Sequence, residues 1–516
     1  MVSIICDLDP LDECLFQHGL QLTPNGRFVR WLPTNPNHPR NWSFRRKTYD
    51  LTIINLMDLF TTASSTAGTI TAKAAHTEYG IDETLALFLF VSMSLLGQLA
   101  GSILFAPYSE AFGRRNLYIT SGILFTVGCV IIASVRSLAA VVVGRCATGF
   151  LSSIPANVLA GSIEDMYRSR QRTWWLCIWS VASNLGLILG PIVGAYLTSN
   201  LGWRWVFYVA ACIIGFLTIL LFFIRESRPS LLLVRQVTEF RKTTGMKTPP
   251  PLNPDHTPDF HTFIRTTLVR PVELFAEPIV ICVAVMTSTA FGLVYLFTEA
   301  LQPIYQDLGF DSKSSSLAFI GLGIGIVLSI LTRFADDQII AKYLRDGRQL
   351  LPEHKLLGIY IGSPLLAIGL WWFAWAIPSY ADGIHWIVPT IPLVLIGYAL
   401  NEFPTVLLGY LADSYLSYAA SGLAAVASLR AILSATFPLF ARQMFSALGN
   451  NVAVSILAAV GTMFCVIPPL FGRYGTRIRA KSKFARYSLR THEENCVDND
   501  EFLPKAPEVP TGGDTV

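Results

Sequence analysis

Long apolar runs recur along the chain, each closed by a short polar interval. A helix that crosses a bilayer needs about 20 mostly apolar residues. Twelve stretches meet that demand: 49–70, 85–107, 117–135, 138–161, 174–197, 203–224, 277–299, 315–334, 356–377, 386–408, 418–440 and 450–471. The pattern predicts an all-α membrane protein with twelve transmembrane helices. The longest internal polar interval, 225–276, has six runs before it and six after it. The chain therefore divides into a polar N-terminal tail (1–48), a six-helix lobe (49–224), a linker (225–276), a second six-helix lobe (277–471) and a polar C-terminal tail (472–516). The stretch KTPPPLNPDHTP in the linker cannot pack a core and reads as flexible. The chain beyond Ser482 reads as disordered.

Composition agrees with this pattern. Of 516 residues, 52% are hydrophobic and only 14% charged, where soluble domains carry about 25% charged residues. Mean hydropathy is +0.48. Positive charge sets orientation, because Lys- and Arg-rich loops stay in the cytoplasm. With the N-terminus inside, 32 of the 39 Lys and Arg residues fall on the inner side and five on the outer. Both termini are thus expected in the cytoplasm, and the sequon Asn41-Trp42-Ser43 should carry no glycan. No positive segment followed by an apolar core opens the chain, so a cleavable signal is not expected. A net charge of +4 gives no surface for nucleic acid. The nine Cys residues, Cys129, Cys177 and Cys282 among them, are scattered without CxxC or metal-ligand spacing. No metal site and no cofactor are expected.

Two lobes around a linker are the layout of a secondary transporter with its site near the midplane. The stretch Ala106–Arg115, APYSEAFGRR, follows the second run. Pro107 should end or kink that helix, and Gly113 should permit a tight turn. Arg114 and Arg115 satisfy the charge rule, and Glu110 is placed to bridge to a neighbouring helix. This stretch resembles the loop 2–3 signature of the major facilitator superfamily, in the S-E-x-x-G-R-R form of its fungal twelve-span drug:proton antiporter branch. NPNHPRNWS before the first run, GRCATG in the fourth, GWRWVF in the sixth, and YLADSYLSYAASGLAA and FPLFARQMFSALG in the tenth to twelfth are similar to the same branch. The resemblance implies two six-helix lobes, alternating access, and a gating role for Glu110, Gly113, Arg114 and Arg115. Ala106 stands where many members have Gly. The second half echoes the signature weakly in RFADDQIIAKYLR (333–345), which reads as a charged loop.

In the fifth run, Gly186, Gly190 and Gly194 recur every four residues and share one helix face. Small residues at that spacing let two helix backbones approach closely, and Pro191 removes one backbone hydrogen bond. The pattern G-x-x-x-G-P-x-x-G is similar to the helix 5 motif of exporters in the family, and implies outward transport.

Charges inside a span are costly and mark functional positions, at about 2.5–3.5 kcal/mol each on insertion scales. Asp58, Arg145, Glu299, Glu402 and Arg430 stand in such places. Arg145 matches the family's helix 4 arginine, tied to proton coupling, and Asp58 is its expected partner. Asp58, Arg145, Glu299 and Glu402 are the proton-coupling candidates. Asn184, Tyr295, Asn401 and Glu402 are the substrate-cavity candidates, with Trp371–Trp375 as an aromatic wall or an interfacial belt; Arg430 is an anchor of the eleventh run. No P-loop is present, so an ion gradient must drive transport. The expected protein is a proton-coupled exporter of small hydrophobic molecules such as drugs, toxins or secondary metabolites. Its partners are the substrate, protons and the bilayer. It should be monomeric and sit in the plasma membrane, with the vacuolar membrane second. An exporter of cationic amines such as polyamines is one alternative, and a non-transporting sensor is another. An enzyme is not expected, because no His, Ser or Cys set lies near an acid in any run.

Overall fold

The structure is a computed structural model. It describes residues 10–23, 26–167, 169–252, 269–346, 351–377, 385–415, 419–482 and 484. Short α1 (Pro10–Gln17) leads into an antiparallel hairpin, β1 (Leu20–Leu22) against β2 (Val29–Trp31). Next come α2 (Phe44–Thr66), α3 (Gly68–Tyr79), α4 (Glu83–Leu87), a π-helical turn at Phe88–Ser92, and α5 (Met93–Phe112). The first lobe continues with α6 (Arg115–Ser134), α7 (Leu138–Met166), α8 (Ser169–Leu201) and α9 (Arg204–Leu221). The linker contributes α10 (Pro229–Thr244) and α11 (Arg270–Leu274). The remaining helices are α12 (Pro278–Asp307), α13 (Phe319–Leu328), α14 (Ile330–Arg345), α15 (Leu357–Ala376), α16 (Ile387–Tyr415), α17 (Ala419–Leu448), α18 (Asn450–Phe464) and α19 (Ile467–Lys481).

Among the described residues, eleven helices are long and apolar enough to cross a membrane. The exception is the first expected span. There α2 carries Arg45, Arg46, Lys47, Asp50 and Asp58 within a single helix, and Ala67, itself in helical geometry, joins it to α3. Two expectations need correction. Pro107 does not end the second span: α5 runs through it to Phe112 and stops at Gly113, whose φ of 94° an L side chain rarely adopts. The segment read as a charged loop, 333–345, is helical within α14, with Arg333 and Asp336 buried.

The chain clusters into two compact units: Met1–Arg270 with Phe291–Ile320 and Ala427–Phe445, and Pro271–Ala290 with Gly321–Val426 and Ser446–Val516. Parts of α12 and α17 thus pack with the first six membrane helices. Within a bilayer, apolar burial gives helices little reason to associate, so close backbone contact must do so. In the first unit, a Cβ on Gly149 of α7 would strike the backbone of Ser94 on α5. The second unit repeats the device, with Gly397 of α16 against the backbone of Leu322 on α13.

The N-terminal segment and the linker fold together. Leu15, Leu20 and Val29 bury against Leu233, Val237 and Phe240 of α10. Val29 bonds to the Pro250 carbonyl at 3.0 Å, and Leu252 donates to the Val29 carbonyl at 2.8 Å. The proline stretch therefore has an ordered start, because β2 offers it an edge to pair with. The rest of that stretch, 253–268, lies outside the described residues.

Candidate functional site

The expected Asp58–Arg145 pair does not form. Asp58 is fully buried on α2. The Trp179 indole of α8 donates to its Oδ2 at 2.9 Å, and its Oδ1 has no hydrogen-bond partner among the described residues. Arg430 of α17 lies within electrostatic reach of Asp58 and of Tyr295. It also stacks on the Phe291 ring, 4.7 Å from the centroid. A buried carboxylate with an indole donor, the Ser183 hydroxyl beside it and an arginine in range can exchange a proton or accept a polar group.

Arg145 is 1% exposed and spends its guanidinium on backbone carbonyls: Phe90 at 2.6 Å, Ser64 at 3.2 Å and Ser65 at 3.1 Å. The reason is local. The last turn of a helix leaves carbonyls without intrahelical partners, and α2 ends right there; a π-helical turn shifts the ladder at Phe90. A planar five-donor fork suits three such carbonyls. A Cβ at Gly68 would sit 2.6 Å from that guanidinium, so the arginine's seat requires a glycine there.

From Ser65 toward the end of α3, a polar ladder joins the first span to α12. The Ser65 and Tyr295 hydroxyls are 3.1 Å apart, and those of Thr69 and Thr298 also 3.1 Å. One turn further, Lys73 pairs with buried Glu299 at 3.1 Å. The ladder ends with Glu83 paired to Arg442 of α17 and with Ser92 donating to the Ala435 carbonyl at 2.7 Å. Glu299 and Tyr295 thus lie in one continuous contact.

The glycine face of α8 packs where its spacing predicts. Cβ atoms on Gly186 and Gly190 would strike the Leu59 and Ala63 carbonyls of α2, and one on Gly194 would meet the Ala67 Cβ at 3.3 Å. Pro191 is buried on the same helix, which stays continuous through it. Asn184, two residues before Gly186, bonds the Ser180 carbonyl of its own helix at 3.0 Å.

At the α5–α6 turn, Arg114 is buried and pairs with Asp165 of α7 at 3.2 Å. Glu226, just past α9, accepts from the Arg114 backbone N–H at 3.0 Å and from that of Arg115 at 3.1 Å. A carboxylate at a helix N-terminus answers its unpaired N–H groups and its dipole. A Cβ on Gly113 would approach Glu226 Oε2 to 2.7 Å, so the glycine clears the carboxylate's seat. Arg115 donates to the Phe222 carbonyl at 2.8 Å. Glu110 is half-buried on the last turn of α5. Asp165 and Glu226 escaped the sequence reading. They lie 51 and 112 residues from Arg114, and no local pattern joins them.

In the second unit, Glu402 is 1% exposed and meets Arg333 at 2.6 Å, while Arg333 also pairs with Asp336 at 2.7 Å. Asn401 donates to the Ser329 hydroxyl at 2.7 Å. Both cavity candidates of α16 are therefore held by α13–α14 neighbours. Trp371, Trp372 and Trp375 stand exposed on α15, and Trp371 donates to Thr462 at 3.1 Å. That placement suits an interfacial belt. No set of His, Cys, Asp and Glu among the described residues could hold a metal ion.

Known proteins resemble the chain along most of its length. The profile of the Major Facilitator Superfamily matches residues 52–438. The multidrug transporter TPO1_2 of Candida glabrata is 32% identical over 461 residues, spanning 89% of this chain and 79% of its own. The efflux pump FUB11 of Gibberella moniliformis is 34% identical over 492 residues, spanning 93% and 82%. A solved D-xylose-proton symporter superposes with a TM-score of 0.58 over 82% of this chain and 97% of its own, at 17% identity. That last likeness concerns the fold alone.

Proposed function

This chain belongs to the Major Facilitator Superfamily, and from that membership we propose that it is a proton antiporter exporting small hydrophobic organic molecules. It is a transporter and not an enzyme. The names of its relatives support export of drugs or toxins. The observation that carries the coupling is Asp58, a buried carboxylate in the first span with an indole donor, the Ser183 hydroxyl beside it and an arginine in range. In this reading α2 and α3 make the twelfth membrane crossing, both termini are cytoplasmic, and the protein works as a monomer in the plasma membrane.

Alternating access assigns the polar residues two kinds of work. The Ser65–Lys73 ladder closes the outer side, and Glu299 acts there as a gate carboxylate paired with Lys73. Arg114 and Arg333 hold the inner ends of their helices through Asp165 and Glu402. Glu402 is then a latch acid rather than a proton carrier.

Two measurements test this. Efflux of a hydrophobic dye from cells expressing the protein should collapse with a protonophore; protein-dependent efflux indifferent to it would overturn proton coupling. A polyamine in the same assay separates the amine exporter from the hydrophobic one. Second, Thr69→Cys with Thr298→Cys should cross-link on mild oxidation, since the native hydroxyls are 3.1 Å apart. The cross-link should arrest efflux, and reductant should restore it. Full transport in the cross-linked state would remove the ladder from the gate.

A further inference from the structure

A cavity of about 730 Å³ opens beside the α5–α6 turn, at the level where α9 ends. Its walls come from four parts of the chain: the N-terminal segment (Trp31, Trp42), the start of α6 (Arg115, Asn116), the exit of α9 (Phe222–Glu226) and one face of α10 (Leu232, Arg235, Gln236, Glu239). The α10 residues stand three and four apart, so they share a side. None of the transport machinery above needs this space.

Arginine outnumbers glutamate on its walls. Arg115, Arg225 and Arg235 line it against Glu226 and Glu239. Glu226 is already saturated by the backbone N–H groups of Arg114, Arg115 and Arg228. Arg225 lies beside Asp50. Arg235 makes no hydrogen bond or ion pair among the described residues, and its side chain is exposed. The frame around these charges is built rather than loose. Trp31 donates to the Pro229 carbonyl at 3.1 Å, fixing the hairpin to the start of α10. Asn35 is buried and bonds the Gly19 carbonyl at 2.9 Å, and the Asn41 amide bonds the Asn35 carbonyl at 2.8 Å. The NPNHPRNW segment is thus a knot that holds the cavity's outer wall. At the membrane edge stand Phe222 and Phe223, 51% and 65% exposed. Exposed apolar rings there suit the boundary between headgroups and acyl chains.

We propose that this cavity binds the phosphorylated inositol headgroup of an anionic lipid in the cytoplasmic leaflet. Arg115, Arg225 and Arg235 would meet the phosphates, and Phe222 and Phe223 would lie along the glycerol end. Arginine forks match phosphate oxygens, and juxtamembrane basic residues attract anionic lipid. The volume is that of a small-molecule site and exceeds what one inorganic phosphate needs. Bound there, the headgroup bridges α10 and the N-terminal segment to Arg115, and so bears on the α5–α6 turn. The leaflet rests on the orientation proposed above; the binding itself does not.

The test uses the purified full-length protein in detergent, with native mass spectrometry to count retained lipids. The probes are phosphatidylinositol phosphate, phosphatidylserine, phosphatidylcholine and soluble inositol phosphates. Phosphatidylinositol phosphate should be retained in preference to phosphatidylserine. Arg235→Glu, on an exposed helix face, should weaken that retention about tenfold, the effect of losing one charge-assisted contact. Unchanged retention in Arg235→Glu, or equal retention of phosphatidylserine, overturns the site. Equal binding of soluble inositol phosphates overturns the lipid as its source. Binding is read without transport, so a protein that binds the lipid and fails to export drugs would sink only the export reading. Dye efflux from vesicles of phosphatidylcholine should rise when phosphatidylinositol phosphate is added, and should rise less in Arg235→Glu.

Discussion

Asp58→Asn is expected to abolish uphill export while leaving the protein folded and at the membrane. The substitution keeps the shape of the side chain and an oxygen that can accept from Trp179, so the 2.9 Å bond survives. It removes what an amide cannot supply, proton exchange and the negative charge facing Arg430. A proton entering a cell gains about 1.4 kcal/mol per pH unit and about 2.3 kcal/mol per 100 mV. Together these sustain an accumulation ratio of several hundredfold, since about 1.4 kcal/mol is tenfold. That ratio should be lost in the variant, with exchange down a gradient retained. The measurement is substrate movement in vesicles under an imposed pH gradient. Asp58→Glu should keep part of the activity, because a carboxyl remains near Arg430. Concentrative transport by Asp58→Asn would show that another group carries the proton, with Glu299 next in line.

The helices were legible because a bilayer imposes a length. Any segment that crosses it must be apolar for about 20 residues and must satisfy its own backbone. Residues such as those of α6 and α9 obey that demand and little else. Where a second demand intervenes, the pattern misleads. The first run hides the carbonyl site at Ser64 and Ser65, because its occupant comes from elsewhere, Arg145 reaching over from α7. The helix through Pro107 continues because the turn is set by Gly113, where Glu226 occupies the space a side chain would need. Spacing within a helix was equally legible: the glycine face of α8 meets α2 and α3 as its period requires.

Pairing across the fold was not legible. Asp58 is the expected partner of Arg145 because helices 1 and 4 both line the cavity in the fold that the resemblance implies. A guanidinium, however, can be satisfied by carbonyls alone, and nothing in either residue's neighbourhood says which will happen. Glu402 reads from sequence as a cavity or proton-coupling acid, and its partner Arg333 lies 69 residues away, where no local pattern joins them. The N-terminal segment and the linker looked polar and separate. Their shared core of Leu15, Leu20, Val29, Leu233, Val237 and Phe240 needs both to exist.

Each unit has a buried arginine that binds a buried acid on another helix: Arg114 with Asp165, which Arg228 also reaches at 3.5 Å, and Arg333 with Glu402. In the second unit the arginine serves two acids, and this asymmetry makes a sharp expectation. Arg333→Met leaves the Asp336 and Glu402 carboxylates buried together, with Lys355 the remaining cation in electrostatic range of Asp336. Removing one partner of a buried pair costs about 3–5 kcal/mol, and here two acids lose their arginine at once. Glu402→Gln should cost much less, because the 2.7 Å Arg333–Asp336 pair survives and the amide still offers Arg333 an oxygen. The order of thermal stability in detergent should therefore be wild type, then Glu402→Gln, then Arg333→Met well below. Combining Arg333→Met with Asp336→Asn and Glu402→Gln should recover much of the loss, since no net charge is then left buried at the site. Equal destabilisation by the two single variants would mean that the triad is solvated and is no latch. If Glu402→Gln instead keeps stability and loses only proton-driven export, Glu402 returns as a proton carrier.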